Sequence, residues 1–162
     1  MRYSIAAFAA LVALTGCGGG DDAGSPSATS PAATTPAGPP VALTGTVSDH
    51  GTGDATSGSL SIELDDSYFG PTYVKAAPGS TVSVELENEG AMPHTFTIDA
   101  PKVDVLVAPG KKGTATVTMP ASGALAFYCK FHRAAGMQGA FFGKPGDTVA
   151  GAPGDGGGAY GQ

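Results

Sequence analysis

The amino-acid sequence predicts an all-β domain, a Greek-key β-sandwich or barrel of seven or eight short strands. Three observations predict it. Apolar and polar residues alternate with the period of two that a half-buried strand requires, in several segments of the middle of the chain. Turn signals separate those segments at short intervals: Pro78-Gly79, Glu89-Gly90, Pro109-Gly110 and Ser122-Gly123. No stretch carries a helical apolar period, and many short strands with such punctuation describe stacked β-sheets.

In chain order, residues 1–17 read as an address rather than as structure. Arg2 precedes an apolar run from Ile5 to Leu14, which small residues close. The run is too short for a bilayer-crossing helix. Its end, Leu14-Thr15-Gly16-Cys17, resembles the bacterial lipobox, which implies cleavage before Cys17 and acylation of its sulfur. The expected location is therefore the outer face of the cell membrane, in periplasm or at the cell surface, with lipidated Cys17 as the anchor. Residues 18–40 are Gly, Asp, Ser, Ala, Thr and Pro without periodicity, as a solvated linker would be. Residues 144–162 have the same character and are expected to be a disordered Gly-rich tail.

The folded domain is expected over residues 41–143, about 100 residues, enough for a self-sufficient sandwich core. Leu60-Ser61-Ile62-Glu63-Leu64 alternates, and Tyr73-Val74-Lys75 is a short run of strand formers. Val82-Ser83-Val84-Glu85-Leu86 alternates again after the Pro78-Gly79 turn. Thr95 to Ile98 and Val103 to Val107 follow, then Thr114-Ala115-Thr116-Val117-Thr118, Leu125 to Cys129 and Gly139 to Phe142.

Glycine (26) and proline (13) approach a quarter of the 162 residues but crowd into the ends of the chain. The net charge of −6 comes without a basic stripe, which argues against a nucleic-acid partner. Two cysteines, Cys17 and Cys129, could form one bridge by arithmetic. Each has another role, so no disulfide is expected.

The chemistry lies in Phe127-Tyr128-Cys129-Lys130-Phe131-His132-Arg133-Ala134-Ala135-Gly136-Met137. A thiolate, an imidazole and a thioether share one loop between two strands, and a second imidazole, His94, follows Pro93 at the start of another strand. Singly, a cysteine among aromatics is a small core hydrophobe, and a methionine fills space. Together, two histidines, a thiolate and a weak methionine form the set that selects copper in electron-transfer sites.

On these residues the domain resembles the cupredoxins and is close in pattern to plastocyanin, amicyanin and auracyanin. The likeness runs from Tyr68-Phe69-Gly70-Pro71 to Phe142, and Asn88-Glu89-Gly90-Ala91-Met92-Pro93-His94 and the cysteine loop are its specific parts. It implies one type 1 (blue) copper per chain, with His94, Cys129 and His132 as strong ligands and Met137 as the long axial one. It also implies N–H donors to the Cys129 sulfur from Thr95 and Phe131, and a Thr95 hydroxyl that ties the two ligand segments together. His132 would open onto an apolar patch of Ala91, Met92, Pro93, Ala134, Ala135 and Gly136, where redox protein partners dock on a monomer.

Lys130 and Arg133 are either steering charges or solvated loop residues. His50 is expected to be simply exposed. A copper-delivery or storage protein would use similar ligands, and reduction potential and copper-exchange rate separate that reading from a one-electron carrier. A catalytic zinc site would need a general base, for which Glu89 is the nearest candidate in sequence. A binuclear centre needs a second loop cysteine, and multicopper oxidases need paired His-x-His motifs that His50, His94 and His132 cannot supply. No enzymatic activity is expected.

Overall fold

The computed structural model describes residues 38–149. The signal at 1–17 with its Cys17, the linker up to residue 37 and the tail from residue 150 lie outside the described residues.

Two sheets face each other. The larger holds β1 (Thr52–Asp54), β4 (Tyr73–Lys75), β10 (Gln138–Phe142), β9 (Leu125–Tyr128), β6 (His94–Ile98) and β7 (Val103–Val107), in that order. The smaller runs β3 (Tyr68–Gly70), β2 (Ser59–Asp65), β5 (Thr81–Asn88), β8 (Lys112–Thr118). The architecture is the expected Greek-key sandwich. The only helical turn among the described residues is a 3-10 segment, Arg133–Ala135.

All eight expected strands form. The two additional ones, β1 and β3, are three residues each. Thr52-Gly53-Asp54 has no apolar alternation to announce it. It becomes a strand by parallel pairing with β4, Thr52 opposite Tyr73 and Asp54 opposite Lys75. Tyr68-Phe69-Gly70 is too short to show a period and is set by the hairpin with β2.

Alternation decides which side chains enter the core. Val82, Val84 and Leu86 of β5 and Ala115 and Val117 of β8 face inward, while the residues between them face solvent. At the centre, Phe127 meets Phe69, Phe96 and Phe141 with ring centroids 5.0–5.3 Å apart. Such tilted and edge contacts suit aromatic quadrupoles and fill the space between the sheets.

β10 departs from simple alternation, because all five of its residues are buried. Its outer face is covered by the segment before β1: Val41 joins Tyr73, Ala124, Ala140 and Phe142 in a second apolar cluster. The Gln138 amide fastens that segment by donating to the carbonyls of Thr44 (2.9 Å) and Thr46 (2.6 Å).

The domain also reaches past the expected boundary at residue 143. The Asp147 carboxylate accepts the N–H groups of Gly143 and Lys144, Gly146 donates to the Pro40 carbonyl, and Val149 bridges to Ala124. Residues 144–149, expected within a disordered tail, are thus the close of the domain.

Candidate metal centre

The expected ligand residues come from two places in the fold. Asn88, buried at the end of β5, builds the first. Its amide donates to the carbonyls of Met92 (2.9 Å) and Val107 (2.8 Å), and its oxygen accepts the Gly90 N–H at 3.0 Å. The turn from Glu89 to Pro93 is thereby fixed, and it delivers His94 to the first position of β6.

The second place is the loop between β9 and β10. The Cys129 N–H donates to the Met137 carbonyl (3.0 Å), and the Met137 N–H donates to the His132 carbonyl (3.1 Å). Gly136 ends the 3-10 turn at φ 111°, a left-handed conformation that glycine adopts without strain. A side chain there would also strike Ser48, whose N–H caps the Gly136 carbonyl at 3.0 Å.

Three donor atoms converge between these segments. His94 Nδ1 lies 3.9 Å from Cys129 Sγ, His132 Nδ1 lies 3.7 Å from the same sulfur, and the two nitrogens are 3.1 Å apart. One point in the plane of that triangle is about 2.1 Å from all three atoms. That is the length of a bond from a first-row metal to imidazole nitrogen, and a little under one to thiolate sulfur. The residues therefore fit a metal ion without rearrangement, and a nitrogen, nitrogen, thiolate set of this trigonal shape selects copper.

Burial supports the fit. His94 and Cys129 are fully buried, and His132 is half-buried at the rim. Burial pushes the His94 imidazole below its ordinary pKa and the neighbouring His132 adds to this, while Asp66 and Asp65 oppose it. The net effect favours the neutral ring, the form in which an imidazole ligates a metal. Met137 is fully buried in the same apolar cluster as Cys129.

Of the two expected sulfur donors, one is present: the Thr95 N–H reaches Cys129 Sγ at 3.4 Å. No such bond from Phe131 is found among the described residues. The Thr95 hydroxyl does tie the segments, accepting the Lys130 N–H at 2.9 Å.

Around the site, Ala91, Met92, Pro93, Ala134 and Ala135 are exposed as expected, but Gly136 is buried beneath Ser48. Phe131, not anticipated, takes its place in the apolar rim, 58 % exposed beside His132. The two cations have local partners. Lys130 pairs with Asp104, and the Arg133 guanidinium lies 4.3 Å over the Tyr128 ring. His50 is exposed and stacks on Tyr68 at 3.6 Å between centroids.

Glu89, the candidate base in sequence, is not among the carboxylates that act on His94. Asp65 and Asp66, from the β2–β3 turn, approach the buried edge of His94 instead. Their separation in sequence hid them.

Several solved structures are similar to this chain. A dithionite-reduced auracyanin from Roseiflexus castenholzii is 21 % identical, with TM-score 0.49, covering 56 % of this chain and 99 % of that one. Auracyanin B is 17 % identical, TM-score 0.47, covering 54 % and 88 %. A multicopper oxidase is 22 % identical, TM-score 0.46, covering 54 % and only 42 %. No curated protein matches the sequence. Residues 40–141 match the family model of the cupredoxin-like domain, well over half of the chain, and the chain belongs to the cupredoxin family.

Proposed function

We propose that the protein is a blue copper electron carrier, holding one copper ion through His94 Nδ1, Cys129 Sγ, His132 Nδ1 and, more weakly, the Met137 thioether. The observation that carries this reading is the triangle of three donor atoms, 3.1–3.9 Å on a side, with a common centre at bonding distance. Bound copper supplies a one-electron couple between Cu(I) and Cu(II).

What the chain contributes is constraint. His94 stands on β6 among buried neighbours, and the other ligands stand on a loop whose backbone is closed by its own hydrogen bonds. Neither segment can relax far when the charge at the site changes, so little energy is spent on rearrangement during transfer. The half-buried His132 among Met92, Phe131, Ala134 and Ala135 gives electrons a way out through an apolar surface suited to brief docking of a redox partner.

The lipobox resemblance supports a carrier that works outside the cytoplasm, on the membrane face, tethered through Cys17. No helix among the described residues is long and apolar enough to cross a membrane. A carrier is favoured over a delivery or storage protein because three of the four proposed ligands are fully enclosed, which slows metal exchange.

The test is direct. Cu(II) added to the protein is expected to give an intense visible thiolate-to-copper band that Cys129→Ser abolishes. Folded, copper-loaded protein without that band would refute the reading. Fast copper exchange with slow electron self-exchange would favour delivery instead.

A further inference from the structure

His94 offers Nδ1 to the metal triangle, and its other ring nitrogen, Nε2, is buried without a hydrogen-bond partner among the described residues. A ligating imidazole carries its proton on that second nitrogen. Metal centres ordinarily provide a carboxylate, carbonyl or water to receive it, which fixes the tautomer and the ring. A buried polar group left unsatisfied is destabilising.

The groups closest to Nε2 are identified by Gly90. A side-chain carbon placed on Gly90 would lie 3.1 Å from His94 Nε2, 3.0 Å from Asp66 Oδ1 and 3.2 Å from Asp65 Oδ1. The three polar atoms therefore enclose one small space that exists because residue 90 has no side chain. Nε2 and Asp66 Oδ1 are farther apart than a hydrogen bond, yet no more than about 6 Å.

The two carboxylates differ in what they already do. Asp65 is engaged: one oxygen takes the Asp66 N–H at 2.6 Å, and the other takes the Tyr68 hydroxyl at 3.1 Å. The Asp66 side chain makes no hydrogen bond among the described residues, and it sits exposed at the β2–β3 turn, where it can rotate. That turn is joined to the His94 segment, because Glu89 and Gly90 both donate to the Leu64 carbonyl, at 2.9 and 3.4 Å.

We propose that Asp66 is a positioning residue of the metal centre. Its carboxylate accepts the His94 Nε2–H bond across the gap left by Gly90, holding the tautomer in which Nδ1 presents its lone pair to copper. This deepens the copper reading and rests on it. A negative charge behind a ligand also favours Cu(II) over Cu(I), so removing it should raise the reduction potential.

The experiment compares the full chain as wild type, Asp66→Ala, Gly90→Ala, the double variant of these two, and Asp65→Asn. In copper-free, nitrogen-15-labelled protein, the His94 Nε2–H resonance is expected as a slowly exchanging, downfield signal that both alanine variants shift or lose and Asp65→Asn keeps. In copper-loaded protein, Cu(II) affinity is expected to fall about 10-fold in either alanine variant, and by no more in the double variant. Asp66→Ala alone should raise the potential clearly, since Gly90→Ala retains the charge. An unchanged His94 resonance in Asp66→Ala, or its loss in Asp65→Asn instead, would overturn the proposal. Failure of wild type to form the copper band would defeat the copper reading, while the copper-free resonance would still decide the contact.

Discussion

Thr95 holds Cys129 from two directions. Its backbone N–H reaches the cysteine sulfur at 3.4 Å, and its hydroxyl accepts the N–H of the next residue, Lys130, at 2.9 Å. One residue of β6 thus polarises the thiolate and fixes the loop that carries it, and the Thr97 hydroxyl extends the chain of contacts at 3.1 Å.

Thr95→Val keeps the β-branched shape and the sulfur-directed N–H but removes the acceptor for Lys130. A half-buried N–H then loses its partner, a loss of about 1–3 kcal/mol. Denaturant unfolding of the copper-free protein measures it, and Thr95→Ser should recover most of the loss. Equal midpoints for wild type and Thr95→Val would remove this role from Thr95.

Gly139 tests the packing behind the metal loop. A Cβ on it would lie 2.1 Å from the Thr72 carbonyl oxygen and 2.5 Å from the Phe127 ring. Neither can yield, because that oxygen pairs with the Ala140 N–H and Phe127 is enclosed by Phe69, Phe96 and Phe141. Gly139→Ala is expected to cost about 3 kcal/mol or more, the upper range of overpacking. A thermal scan showing unchanged stability would contradict it.

Copper should stabilise the fold because its ligands are assembled only in the native state. With free copper at a hundredfold excess over its dissociation constant, the gain is about 2.7 kcal/mol. Unfolding with and without copper checks this, and in Cys129→Ser the gain should largely vanish.

The eight longer or strand-rich segments were legible because each carries its own alternation or its own β-formers. So was the meeting of His94, Cys129 and His132, which the spacing of the residues signals and the fold brings to within 4.8 Å of one another. What escaped depends on partners distant in sequence. β1 exists through pairing with β4. Thr97 and Gln138 are polar residues that alternation assigns to solvent, yet they are buried, one by the Lys130–Asp104 side of the sheet and one by the segment around Thr44. Asp66 meets the His94 neighbourhood only after the β2–β3 turn folds over Gly90. Local pattern does not encode such meetings.

Asp104 links the edge strand β7 to the metal loop, pairing with Lys130 and accepting the Thr97 hydroxyl at 3.1 Å. The Lys130 contact, with help from Thr97, holds the Asp104 carboxyl below its ordinary value of 3.8. A carboxylate depressed in the folded state stabilises at pH values above its unfolded pKa, and that contribution is lost as pH falls through the folded one. Wild type should therefore exceed Asp104→Asn in stability at neutral pH, and the two should converge as pH drops below about 4. Both partners are substantially exposed, so the difference should be small and should shrink in high salt. Paired unfolding curves across pH measure it. A gap that persists unchanged at pH values where Asp104 is protonated would show that the residue acts by shape rather than by charge.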